Sequence, residues 1–144
     1  MGQQDQNRQQ LENEKKKEYL RQYEKAVRQM NRIELEIREM RLNRICPSIT
    51  ADGMPHTHKG DDLSAYAALL DKEKKRYMKA RYKRIQKCKE IKDRIERLEN
   101  EDEKDVLLYR YIMLMKWEDI CIKMKYSWKQ IHRIHSNALI HFEI

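Results

Sequence analysis

The side chains best placed to do chemistry lie between Ile120 and Phe142, where the chain has four Lys or Arg (Lys123, Lys125, Lys129, Arg133) and no Asp or Glu. Ammonium and guanidinium groups can donate to phosphate oxygens or, in a DNA major groove, to guanine O6 and N7. Ser127 and Gln130 stand three apart. That is the spacing of a capping box, in which hydroxyl and amide each satisfy a backbone N–H at the start of a helix. A helix begun there, with Ile131, Ile134, Ala138 and Leu139 buried, turns Trp128, Lys129, His132, Arg133 and Ser136 outward. Lys129 and Arg133 are the first choices for contact with bases, with Trp128, Gln130 and His132 beside them. Lys123, Lys125, Ser127 and Ser136 are placed for phosphates. Trp128 either packs on a sugar or thymine methyl or covers the turn. The alternative for the whole set is the solvated face of a small interaction domain.

A second basic surface is denser. Between Lys72 and Lys89 there are ten Lys or Arg and a single acid, Glu73. Lys72, Lys75, Arg76, Lys79, Lys83 and Lys87 stand for this surface, with Tyr77 and Tyr82 interleaved. So uneven a run cannot lace itself with salt bridges, so it suits a phosphate backbone or an acidic protein face. Other chemistries find little. His56 and His58 follow Cys46 in one segment, but no second spaced ligand pair completes a zinc site, and no metal or other cofactor is expected. His132 and His135 read as polar contacts rather than ligands. Neither a nucleophile with its base, a phosphate loop, nor paired acids in an apolar setting is present, so no enzyme and no small-molecule substrate is expected.

These side chains must be positioned by helices. The 144 residues are 39% charged, with net charge +8, but contain only three Gly and two Pro. So few residues suited to positive φ cannot furnish the turns of a sandwich or an α/β fold. No run is long and apolar enough to span a membrane, and Met1–Gln10 has no apolar signal region. Cys46, Cys88 and Cys121 are odd in number and far apart, which fits a reducing cytoplasm.

Residues 1–10 read as a disordered polar tail. Residues 11–99 read as two long helices with a loop at about 46–61. The first, Leu11 to Ile45, carries the stripe Leu20, Tyr23, Val27, Met30, Ile33, Ile37 and Met40. The loop holds Pro47, Pro55, Gly53 and Gly60. The second, Asp62 to Glu99, carries Leu63, Tyr66, Leu70, Tyr77, Ile85, Cys88, Ile91, Ile95 and Leu98. Helices of similar length joined by a loop can bury their stripes as an antiparallel, coiled-coil-like hairpin. Residues 100–144 read as a separate domain. A helix from Glu103 to Met115 buries Leu107, Leu108, Tyr111, Ile112 and Met115. A two-turn helix, Trp117–Met124, a turn at Lys125-Tyr126 and the Ser127 helix follow, and Trp117, Tyr111 and Tyr126 read as packed aromatics. Short helix, tight turn and capped helix describe a helix-turn-helix.

Asp119-Ile120-Cys121, Met124-Lys125-Tyr126-Ser127, then Ile131, Ile134, Ala138 and Leu139 resemble region 4 of sigma-70-type bacterial sigma factors. With Tyr109-Arg110-Tyr111-Ile112 and Lys116-Trp117, the segment from Val106 to Phe142 resembles the sigma-like domain of small phage regulators of the RinA and ArpU type. Lys125 stands where the pattern has Gly, and Cys121 where it has Ala. The resemblance implies an all-α phage or prophage regulator of transcription. It would bind double-stranded DNA at a promoter or operator in the bacterial cytoplasm, with the long helices contacting RNA polymerase, a second copy, or both. Two alternatives remain: a small-terminase-like packaging protein, recognisable by a large closed oligomer, and a polymerase-binding protein that does not touch DNA.

Overall fold

The computed structural model describes residues 2–45 and 60–144, and among them every regular element is helical. Their order is α1 (Gly2–Leu20), α2 (Gln22–Ile45), α3 (Gly60–Ile95), α4 (Glu101–Leu107), a π-helical turn (Leu108–Ile112), α5 (Trp117–Met124) and α6 (Trp128–His141). No described helix is long and apolar enough to cross a membrane. The expected loop, with Cys46, Pro47, Gly53, Pro55, His56 and His58, lies outside the described residues.

Two compact units divide the chain. Residues 27–83 form one of them. Its core is Ile33, Ile37 and Ala80, with Met30, Leu70 and Tyr77 packed against them, so the stripes read in both long helices supply it. Arg76 reaches Glu36 across the same unit at 3.0 Å.

Residues 1–26 and 84–144 form the other unit. Val106, Ile120 and Ile131, from α4, α5 and α6, are wholly buried together. Leu20, Ile91, Ile95, Leu107, Leu139 and Phe142 are likewise sealed from solvent. Tyr19 lies 6.1 Å from Phe142, ring to ring. The Lys16 ammonium donates to the carbonyls of Leu139 and Ile140, at 2.7 and 3.2 Å. Those carbonyls sit in the last turn of α6, where a cation satisfies orphan acceptors and meets the negative end of the helix dipole.

Several expectations are revised. Residues 2–10, expected as a disordered tail, are helical from Gly2. The first long helix divides at Arg21, although the bonds Arg21 N to Lys17 O and Lys25 N to Arg21 O carry the helical ladder across. The second long helix ends at Ile95, not Glu99. Leu63 and Ile85, assigned to its stripe, are about half exposed. The helix expected over Glu103 to Met115 begins at Glu101, widens into the π turn and ends at Ile112, two residues before Leu114 with its φ of 55°.

The two-turn helix runs from Trp117 to Met124 as expected. Lys125 then takes the left-handed conformation, φ 58° and ψ 38°. A residue with a Cβ pays a steric penalty there of about 1 kcal/mol or more. Lys125→Gly is therefore expected to stabilise the fold by about 1 kcal/mol and raise the melting temperature by a few degrees, measured by thermal unfolding. An unchanged or lower melting temperature would show that the turn does not hold this conformation in solution.

Candidate functional site

The start of α6 is built by the predicted box. Ser127 Oγ accepts from Gln130 N at 3.2 Å, and Gln130 Oε1 accepts from Ser127 N at 3.1 Å. Tyr126, in the turn, donates to Asp102 at 2.8 Å and so ties the turn to α4. These bonds fix the helix end and also commit side chains. Ser127 and Gln130 serve the cap, and Ser136 Oγ donates back to His132 O at 2.9 Å. Lys123 lies over the Tyr109 ring, 4.7 Å from its centroid.

Lys125, Lys129 and Arg133 remain, all exposed and with no ion pair among the described residues. Trp128 beside them is 52% exposed. The residues assigned to base contact thus separate. Lys129, Arg133 and Trp128 face solvent; Gln130, also exposed, is held by the cap. His132, expected outward, is half-buried, because its ring lies between Trp128 at 4.5 Å and Trp117 at 4.7 Å.

His135, read as a polar contact, is a core residue. The buried face of α6 runs through Ile131, His135, Ala138 and Leu139, while Ile134 is only half-buried. Tyr111 hydrogen-bonds to His135 Nε2 at 2.8 Å. Burial pushes the Tyr111 phenol up to about 12. Burial first, then the charges of Lys17 and its cationic neighbours, push His135 down to about 4. The i, i+4 spacing of His135 from both Ile131 and Leu139 was the available signal.

A stability effect follows from the sign of that shift. Below pH 6.5 the unfolded chain binds a proton at this ring, whereas the folded chain does not until about pH 4. Stability is full above 6.5 and falls as pH drops towards 4, by up to about 3 kcal/mol. Denaturant titrations at pH 7 and 5 should show this loss in the wild type and a flatter response in His135→Gln. Equal slopes in the two proteins would assign the effect elsewhere.

A buried carboxylate was also missed by sequence reasoning. Glu103 is 6% exposed and pairs with His141 Nδ1 at 2.9 Å, joining the first turn of α4 to the last turn of α6.

The second basic surface is partly neutralised. Within residues 27–83, Lys75 meets Asp71 at 3.1 Å and Arg76 meets both Glu36 and Glu73. Lys72, Lys79 and Lys83 are exposed, with no ion pair among the described residues. Lys87, in the other unit, is half-buried, pairs with Glu90 at 3.3 Å and lies 5.8 Å from the Tyr19 ring centre. The exposed pairs of Lys75 with Asp71 and Arg76 with Glu36 contribute little to stability, and their cations remain available to a stronger anion.

No group of three or more potential metal ligands occurs among the described residues. What the geometry defines is an all-helical protein that presents a capped helix with a basic outer face. The chain belongs to a family of proteins of unknown function, DUF1492, which matches residues 47–143. No curated protein and no solved structure matches it.

Proposed function

We propose that the protein is a phage- or prophage-encoded DNA-binding regulator of transcription, non-catalytic, acting in the bacterial cytoplasm. In this reading α5, the Lys125 turn and α6 are a helix-turn-helix of the sigma region 4 kind, and α6 enters the major groove. The observation that carries it is the exposed face at the start of α6. Lys129 and Arg133 stand one turn apart on it, with Lys125 in the adjoining turn and no acid between Ile120 and Phe142. Arg or Lys there can donate to guanine, and Lys125 and Lys123 lie near the turn, where phosphates pass.

Duplex affinity measured by fluorescence anisotropy over a salt series tests this. The logarithm of the binding constant should fall linearly with log salt, by about 0.9 per phosphate contacted. A flat dependence, or no binding of duplex at low salt, would overturn the reading.

The long helices, read as a hairpin, are proposed to make a protein contact. Leu35, Leu42, Leu69 and Met78, all within residues 27–83, are each at least half exposed. A second copy or RNA polymerase would cover them. A single helix-turn-helix binds weakly, and either partner would supply the missing affinity.

A further inference from the structure

Beside the buried Tyr111–His135 pair, a cavity of about 260 Å³ opens inside the unit formed by residues 1–26 and 84–144. Three cations line it, Lys17, Arg21 and Arg110, against one acid, Glu24. Their field is felt at His135, where the same three side chains oppose protonation after burial has done so. Two of the cations are partly engaged: Lys17 pairs with Glu14 at 2.8 Å, and Arg110 donates to Met115 O at 3.0 Å while lying over the Trp117 ring. The Arg21 side chain has no hydrogen bond or ion pair among the described residues, although the Glu14 and Glu18 carboxylates feel its charge, and it sits where α1 gives way to α2. A guanidinium whose N–H groups have no hydrogen-bond acceptor offers a planar fork that suits phosphate oxygens.

The rest of the wall is aromatic. Trp117, Tyr111 and His132 line it, and His132 Nε2, although sealed from solvent, has no hydrogen-bond partner. The backbone around the cavity is unusual too. Arg110 and Tyr111 belong to the π turn, and Leu114, also on the wall, is left-handed. Both distortions are rare, carry an energetic cost and concentrate at ligand sites. The volume is just below the roughly 300 Å³ at which sites for drug-sized ligands begin.

We propose that this cavity binds a small phosphate monoester carrying a single aromatic or heterocyclic ring, with the phosphate on Arg21 and Lys17 and the ring against Trp117. Nothing in this assignment depends on the DNA reading, since Lys129 and Arg133 do not line the cavity.

The test uses the full chain with Trp128→Phe, which leaves Trp117 as its single tryptophan. Phenyl phosphate should change the fluorescence of Trp117 saturably. Inorganic phosphate should bind about tenfold more weakly and benzyl alcohol not at all. Arg21→Gln, at an exposed position, should weaken phenyl phosphate about tenfold or more while leaving the circular dichroism and melting temperature unchanged. Calorimetry on the otherwise wild-type chain gives the same ranking without relying on fluorescence. Duplex DNA is the other source of phosphate and forms the second arm. Displacement of phenyl phosphate by duplex would mean that the cavity serves DNA, and the free-ligand assignment would fall. It would fall equally if phenyl phosphate gave no saturable response up to about 10 mM, if Arg21→Gln bound it unchanged, or if benzyl alcohol bound as well.

Discussion

Removing residues 1–26 is expected to abolish cooperative unfolding of α4, α5 and α6, although all three helices lie outside the deletion. The deletion takes away Tyr19, Leu20, Tyr23 and Ala26, all buried. Full burial of one large apolar side chain contributes roughly 1.5–3 kcal/mol, so the loss exceeds about 5 kcal/mol. That is comparable to the whole stability of a small domain, about 5–15 kcal/mol. The truncated chain should keep much of its far-ultraviolet helical signal, lose its sharp melting transition and bind a hydrophobic dye. Leu20→Ala gives a graded version, expected to cost about 2–5 kcal/mol because Leu20 is wholly buried. A truncated chain that melts as sharply, and at the same temperature, would show that α1 does not contribute to this core. The prediction has a practical edge. A fragment confined to residues 47–143, the region matched by the family, lacks α1 entirely.

The second large effect concerns recognition. Lys129→Ala with Arg133→Ala should lower affinity for a preferred duplex by roughly 30-fold to 10⁴-fold, because two contacts are lost and a good side-chain contact to guanine is worth about 1–3 kcal/mol. Stability should barely change, since neither side chain has an ion pair among the described residues and both are exposed. Lys125→Ala should instead weaken preferred and random duplexes alike, by less, and reduce the salt slope by about one phosphate. Competition between specific and random duplexes in anisotropy separates the two patterns. If the double variant bound the preferred duplex like the wild type, α6 would not be the reading helix.

Much of this was legible in the chain because the signals were local. The limits of α5, a turn at Lys125 and the reciprocal Ser127–Gln130 cap each follow from a few neighbouring residues. Other features were not legible, for identifiable reasons. Residues 2–10 are polar throughout, with no apolar stripe to announce a helix, yet they continue α1. On α6, spacings of three and four from Ile131 point to Ile134 and His135 respectively. Tertiary packing chose the histidine as the more buried and gave it Tyr111 as partner. The π turn carries no composition of its own. It reflects the fit between α4 and the chain leading into α5, information that no short window contains. The basic run from Lys72 to Lys89 was visible as composition, but Glu36, 40 residues from the Arg76 it holds, was not visible as a partner.

The pairing of Lys16 with Leu139, 123 residues apart, also constrains how the chain is made. At a synthesis rate of about 5–20 residues per second, α1 waits roughly 6 to 25 seconds on the ribosome before Phe142 exists to meet Tyr19. Throughout that interval Tyr19, Leu20 and Tyr23 have no finished surface to cover them, while residues 27–83 can already close on their own core. Until then the apolar face of α1 stays open to water. A stop codon placed before Phe142 would strand α1 in that state, so premature termination near the last helix should yield insoluble product rather than a shortened functional protein.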